Sequence, residues 1–187
     1  MLIDLSLPIN AQDLALGKAH KSLIDAGHVG THFDVVNKSF SLENFRLPGK
    51  VFDISKIRDR EIEVPDLVGA QVEPGDFVVL YTGLLDEFGY NTDPYSSRSA
   101  ELSDAVIDYL LERGTRLIGV DAAGVQKPRK HSAVDQYCAD RGVFIVENLN
   151  NVRLLVALCA SPLTIYTAPL SRTDWTGLPC RVLAELA

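Results

Sequence analysis

The chain has 187 residues, enough for one domain with its own core and short for two. Hydrophobic residues make up 47% and charged residues 23%, which excludes a disordered chain. The formal net charge is −7 and no block of lysine and arginine interrupts it, which argues against a nucleic-acid partner, because phosphate attraction needs a basic face.

In chain order, "LIDLSLPI" reads as a first strand ending near Pro8. The stretch 13–28 is ambiguous and is read as loop plus a short strand. "VFDIS", 51–55, has the β-branched and aromatic content of a strand. "VPDLVGAQVEPGD" predicts one helical turn, then a turn at Pro74-Gly75. "FVVLYT", 77–82, is a continuous apolar run, the pattern of a strand buried on both faces. "DEFGYNTDPYSS" reads as a polar loop.

A helix is predicted from about Ala100 to Arg113, with Ser99 as N-cap, Gly114 as its stop, and Leu102, Val106, Tyr109 and Leu110 as its buried stripe. "RLIGV" follows as a strand. A second helix is predicted over His131–Arg141, with Val134, Tyr137 and Cys138 inward. "VFIVENL", a helical turn at 150–158, and the strands "LTIYTAPL" and "CRVLAEL" complete the chain. The βαβαβ succession at 77–149 predicts neighbouring parallel strands, with Thr82, Asp121 and Glu147-Asn148 near their carboxyl ends, where open α/β sheets bind ligands. No linker divides the chain, so one domain spanning residues 1–187, with a mixed sheet, is expected.

"MLIDLSLPIN" shows no signal peptide, and no apolar run approaches the ~20 residues needed to span a bilayer, so a cytoplasmic protein without a membrane partner is expected. Cys138, Cys159 and Cys180 are odd in number and form no CxxC pair. They are read as small buried apolar residues rather than disulfide or zinc cysteines.

The chemistry concentrates in "GHVGTHFDVVNKSF", residues 27–40. His28, His32 and Asp34 offer two imidazoles and one carboxylate, a donor set suited to one divalent ion such as Zn²⁺ or Mn²⁺. Three protein ligands leave coordination positions free for water, as catalytic sites require. Gly27 and Gly30 argue for a turn rather than a helix, with Thr31 holding it. His131 opens the second helix and Glu147 closes the following strand, so both are expected at one rim of the sheet. Phe88, Tyr90, Tyr95 and Trp175 are aromatic candidates for a pocket, a core or an interface.

These residues resemble a known family. "HVGTHFD", then "VDAAGVQKPRKH" and "VFIVENLNNV", with "LIDLSLPI" at the start and "IYTAPL" near the end, look like the cyclase family, which includes bacterial kynurenine formamidases, isatin hydrolases and other metal-dependent hydrolases. The resemblance implies an α/β fold of the swivelling β/β/α type, assembled as a homodimer or homotetramer, and a metal-activated water attacking an amide, formamide, lactam or lactone carbonyl of a small molecule. An arylformamidase-like activity in tryptophan catabolism is the corresponding family-level expectation. It assigns His28, His32 and Asp34 as metal ligands, and His131 and Glu147 as the downstream pair that helps hold a second metal in dinuclear members, bridged by Asp34. The motif departs from the family after the aspartate: Val36 stands where proline is usual, and Lys38 where a histidine is usual.

A protonated lysine has no lone pair to give a metal, but it can replace a metal's charge. The expectation is therefore a mononuclear site in which Lys38 pairs with Glu147 and stabilises an oxyanion, while His131 or Glu147 takes the proton from water. Two alternatives stand beside it: a non-catalytic member that binds a metal and a small ligand, and a structural metal site within an assembly.

Overall fold

The computed structural model describes residues 1–14, 18–158 and 162–187, apart from the side chains of residues 18–20. Cys159 and the His20 side chain lie outside the described residues. The strands are β1 (Leu2–Asp4), β2 (His32–Asp34), β3 (Arg46–Asp53), β4 (Phe77–Tyr81), β5 (Leu117–Val120), β6 (Phe144–Glu147), β7 (Leu163–Pro169) and β8 (Gly177–Leu186). The order runs β8-β2-β6-β5-β4-β3-β7, and β7 pairs back onto β8, so seven strands close into a barrel. β1 adds to the far end of β8, with Ile3 opposite Ala184. Strands β3 to β6 are mutually parallel, while β2, β7 and β8 meet their neighbours antiparallel. The expected α/β fold with a mixed sheet is what the chain forms.

The apolar run of β4 is buried on both faces. Phe77 and Val79 join the cluster inside the barrel with Phe33, Val146, Ile165 and Val182. Val78 and Leu80 join the outer cluster. There they meet Val106, Ile107 and Leu110 of helix α4, once α1 (Lys18–Asp25), α2 (Leu84–Phe88), α3 (Asp93–Ser96), α4 (Asp104–Glu112), α5 (Pro128–Ala139) and α6 (Val152–Leu158) are counted in order. Each such fully buried side chain is worth about 1.5–3 kcal/mol. Among the described residues no helix is long and apolar enough to cross a membrane.

Several element boundaries differ from the sequence expectation, each for a tertiary reason. The ambiguous stretch before Gly27 forms α1 rather than a short strand, supported at its end by a Lys21–Asp25 pair one turn apart at 2.9 Å. The predicted loop at 86–97 contains α2's end and α3. Helix α4 starts four residues late, capped by Ser103, whose side chain accepts from the Val106 N–H. Residues 100–102 are instead held extended, because Ala100 and Leu102 donate to the carbonyls of Gly124 and Val125. Helix α5 begins at Pro128, where the missing N–H costs nothing, and ends at Ala139. Tyr137 is not inward: it is half-exposed, donates to Asp108, and carries Arg141 over its ring. β3 begins at Arg46, earlier than expected, because "RLP" pairs with β7 despite its turn-like composition.

Candidate metal centre

The centre is built on an antiparallel pair. In β2, His32 and Asp34 are two residues apart and share a face, while Phe33 points into the barrel. The β2–β6 register sets His32 opposite Glu147. The result is a His32 Nε2 to Glu147 Oε2 distance of 3.6 Å and a His32 Nε2 to Asp34 Oδ1 distance of 3.5 Å.

His28 arrives from the end of α1. The Gly27 N–H donates to the Ile24 carbonyl and the His28 N–H to the Leu23 carbonyl, a Schellman close that needs a left-handed residue between. Gly27 supplies it at φ +91°, and a Cβ there would fall 2.0 Å from the Gly177 carbonyl oxygen. This stop turns His28 over Asp34, with Nδ1 2.9 Å from Asp34 Oδ1 and 3.1 Å from His32 Nε2. Its other nitrogen meets Thr176 Oγ1 at 2.8 Å.

The His32 ring is fixed from behind. Nδ1 lies 3.0 Å from the Gly30 carbonyl, which can only accept, so Nδ1 carries a proton and it is Nε2 that offers the lone pair whenever the ring is neutral. Asn148 donates to the same carbonyl at 2.9 Å and accepts from the Tyr95 hydroxyl at 2.6 Å. Thr31 locks the turn as expected: its hydroxyl donates to the Asn148 carbonyl and accepts from the Leu7 N–H.

Helix α5 closes the other side. His131 Nε2 lies 3.2 Å from Glu147 Oε1 and 3.2 Å from Asp135 Oδ2, one helical turn on. Gly124 makes room for this ring, since a Cβ there would stand 2.6 Å from His131 Cε1 and Nδ1.

Three carboxylates are thus buried together: Asp34, Asp135 and Glu147. Both oxygens of Asp34, Oδ1 of Asp135 and Oε1 of Glu147 receive no hydrogen bond of acceptable geometry, His28's 2.9 Å approach to Asp34 included. Such groups are costly unless something positive meets them. Burial would raise the Asp34 carboxyl, but the adjacent His28 and His32 outweigh it and hold it well below the usual range. Burial and the charge of Asp34 push Asp135 up to about 8 and raise Glu147. Burial disfavours the charged form of His32, yet Asp34 and Glu147 overcome it and lift the imidazole to about 9. The same contest, won mainly by Glu147, lifts His131 to about 10.

The donor set fits a divalent cation. Two imidazole lone-pair positions 3.1 Å apart and an anionic carboxylate without hydrogen bonds converge on one point. His28, His32 and Asp34 form one group able to hold a metal ion, and Asp34, His131 and Asp135 form a second. The site floors a cavity of about 410 Å³, whose walls include Leu23, Ile24, Tyr90, Tyr95, Ala123 and Ser132. Another cavity, of about 300 Å³ beside Ile54, Arg58 and Arg98, touches none of these ligands.

A family model described as "Putative cyclase" matches residues 3–127. The chain belongs to the cyclase family. Solved cyclase-like structures share the fold along almost the whole chain. One described as a potential metal-dependent hydrolase with cyclase activity is 22% identical, with a TM-score of 0.74, covering 98% of this chain and 96% of the other. Isatin hydrolase A from Ralstonia solanacearum is 18% identical, with a TM-score of 0.76 and coverage of 98% and 91%. Isatin hydrolase A from Labrenzia aggregata, bound to benzyl benzoate, is 21% identical, with a TM-score of 0.72 and coverage of 98% and 93%. Comparison with curated protein sequences gave no match.

Of the residues singled out in this cyclase-family sequence, His28, His32, Asp34, His131 and Glu147 come together. Lys38 does not. The expected Lys38–Glu147 contact is absent: Lys38 Nζ lies 2.7 Å from Asp140 Oδ1, just past the end of α5, with over a third of its side chain exposed. The cause is local. Val36 takes φ +54° directly after β2, and the Lys38 N–H closes a turn onto the Val35 carbonyl, which carries the lysine away from the β2 face. Sequence reasoning missed Asp135, although its i+4 spacing from His131 on a helix was a usable signal. It placed Asn148 at the ligand-binding rim of the sheet without a chemical role and did not single out Thr176; only the folded chain brings both beside the imidazoles. Of the aromatic candidates, Tyr90 and Tyr95 line the cavity, whereas Trp175 packs by Gly27 beneath Arg172 and Phe88 lies under Arg98.

Proposed function

We propose that this chain is a metal-dependent hydrolase of a small neutral amide, formamide or lactam, with an arylformamidase-like C–N bond as the first choice and a lactone ester as the second. The observation that carries the reading is the convergence of His28, His32 and an Asp34 carboxylate without hydrogen bonds, with both imidazoles lining one cavity. A divalent ion, Zn²⁺ or Mn²⁺, held by these three residues would supply a water of lowered pKa and polarise the substrate carbonyl.

The remaining work falls to the chain. Asp34 supplies the negative charge that holds the cation, and Gly30 with Asn148 keeps the His32 lone pair aimed at it. Glu147 is placed to take the proton from water and return it to the leaving nitrogen, because it sits between His32 and His131, and its Oε1 has no hydrogen bond to give up. His131 sets the position of that carboxylate. Lys38 is too far toward the surface for oxyanion stabilisation, so that role is not assigned to it.

The cavity walls favour an uncharged, flat substrate. Among the described residues no lysine or arginine lines it, and Leu23, Ile24, Tyr90 and Tyr95 offer apolar and aromatic surface. The test is a panel of formanilides, aromatic lactams, lactones and simple esters, assayed with metal-stripped protein and added Zn²⁺, Mn²⁺ or Co²⁺. Metal-dependent turnover that is lost in His32→Ala supports the proposal. Stoichiometric metal uptake with no turnover across the panel would favour a non-catalytic binder instead.

A further inference from the structure

We infer that the Tyr90 hydroxyl is the oxyanion donor of this centre, giving a hydrogen bond to the substrate's carbonyl oxygen as negative charge gathers there. The inference rests on the hydrolase proposal above, and it fills the role that Lys38, at the surface, leaves open.

The placement is local in origin. Tyr90 stands between two left-handed residues, Gly89 at φ +77° and Asn91 at φ +61°, in the short link from α2 to α3. Glycine takes such angles freely, and asparagine more readily than most side chains. Gly89 ends α2, and Thr92 then caps α3 by accepting from the Tyr95 N–H. Tyr90 is left on the wall of the cavity that His28, His32 and Glu147 also line. Its ring meets Tyr95 edge to face, with centroids 6.2 Å apart.

The hydroxyl's hydrogen-bonding capacity is only half used. Its oxygen accepts from the Gly30 N–H at 2.9 Å, which sets it beside the turn that leads into His32. The buried Asn91 Nδ2 makes no hydrogen bond of acceptable geometry, yet stands close enough to favour the phenolate. With donors at its lone pairs, the oxygen has its own proton left to give. Among the described residues no group accepts that proton. Tyr95 differs: its hydroxyl is spent on Asn148 Oδ1 at 2.6 Å. Ser96 and Ser132, the other hydroxyls lining the cavity, belong to exposed residues already served by water.

The chemistry needs a donor that keeps its proton. As the water oxygen adds to the carbonyl carbon, the C=O π pair moves onto the carbonyl oxygen. The Tyr90 O–H donates to that oxygen without transferring the proton. When the C–N bond breaks, the pair re-forms the carbonyl, and the leaving nitrogen takes its proton from Glu147. Burial, with the charges of Asp13 and Glu147, outweighs the Gly30 N–H and raises the phenol above its ordinary value, so it stays protonated at neutral pH. A donor fixed in place before the reaction is the kind that stabilises developing charge most.

The experiment is Tyr90→Phe, which removes the hydroxyl and keeps the ring, in the Zn²⁺-loaded full chain. On any panel substrate that is turned over, kcat should drop on the order of 10²–10³-fold with KM nearly unchanged. Calorimetry gives a readout apart from turnover. Phenylphosphonate, whose tetrahedral oxyanion mimics the addition state, should bind about tenfold or more weakly, and benzamide, a neutral carbonyl, almost as before. Metal uptake and circular dichroism should match the unaltered chain. Should Tyr90→Phe not fold, 3-fluorotyrosine in place of Tyr90 keeps the acceptor for Gly30 and makes the O–H a stronger donor, so phenylphosphonate should bind more tightly. Turnover and phenylphosphonate affinity unchanged in Tyr90→Phe, with turnover still lost in His32→Ala, would overturn the inference and leave the hydrolase proposal standing. Loss of metal uptake in Tyr90→Phe would also overturn it, since the tyrosine would then act only by bracing Gly30 behind His32. Phenylphosphonate binding that Tyr90→Phe weakens, in a chain that turns nothing over, would support the donor and remove the hydrolase. Neither turnover nor phenylphosphonate binding would remove both.

Discussion

Asn148 is the residue on which the geometry of the centre most depends without itself being a candidate ligand, and Asn148→Ala measures that dependence. Three losses follow from the structure. The buried Tyr95 hydroxyl loses its acceptor at 2.6 Å, which costs roughly 1–3 kcal/mol for a stranded donor. The Gly30 carbonyl loses one of its two donors, worth about 1 kcal/mol, while keeping His32. Asn148 also sits at φ +57°, where alanine pays roughly 1–2 kcal/mol that asparagine partly escapes. The total is about 3–6 kcal/mol. At roughly 2–4 °C per kcal/mol for a chain of this size, the melting temperature should drop by about 6–24 °C in calorimetry. Loosening the carbonyl that fixes His32 should also weaken metal binding about 10–100-fold, read by titration. Asn148→Gly removes the backbone strain but not the hydrogen-bond losses, so it should recover only about 1 kcal/mol. A melting temperature within a degree or two of the unaltered chain, with unchanged metal affinity, would show that this network does not hold the site.

Metal removal should lower stability, because the ion binds only the folded arrangement: with free metal at 100 times its Kd the stabilisation is about 2.7 kcal/mol, or roughly 5–10 °C here, and His32→Ala should abolish the difference between chelated and loaded samples in thermal melts. Lys38→Ala should leave metal uptake, and any turnover found, unchanged in side-by-side assays, since the lysine pairs with Asp140 at the surface; a large loss would return it to the site. Asp121 tests pH dependence away from the metal ligands. Burial, opposed by donors from Thr82 and Gly83, pushes its carboxyl up to about 6 from 3.8, so the folded chain holds this proton more tightly than the unfolded chain. Its contribution, roughly 3 kcal/mol, is fully present below pH 3.8 and lost as pH rises through about 6. Across that window Asp121→Asn should therefore melt with a flatter pH dependence, and parallel melting curves for the two proteins would refute the assignment.

Local pattern carried much of this protein. The continuous apolar run at 77–82 marked a strand buried on both faces, "VFIVENL" read as another buried strand, and the parallel βαβαβ succession followed from the order of strands and helices, because crossover connections leave few other solutions. The ligand types in "HVGTHFD" were likewise legible, since His32 and Asp34 share a face by strand period alone. What lies beyond local pattern depended on contacts between distant segments. Whether 18–28 was helix or strand was settled by a Schellman close against β8, through Gly27 and Gly177, which local propensity does not register, while residues 15–17 lie outside the described residues. The start of α4 moved because Ala100 and Leu102 found partners in the loop at 124–125.

The same division runs through the centre itself. The sequence by itself determined that two imidazoles and a carboxylate would stand together, because the covalent spacing of three residues on one turn and strand leaves them little choice. Only the tertiary structure decided what they would face. The antiparallel register of β2 on β6 put Glu147 opposite His32, the packing of α5 added His131 and Asp135, and a turn at Val36 sent Lys38 to Asp140. The first two are long-range pairings whose energy comes from burying the barrel's two apolar faces, so no local window of the sequence contained them; the turn at Val36 is local, but the Asp140 that receives Lys38 lies about a hundred residues away.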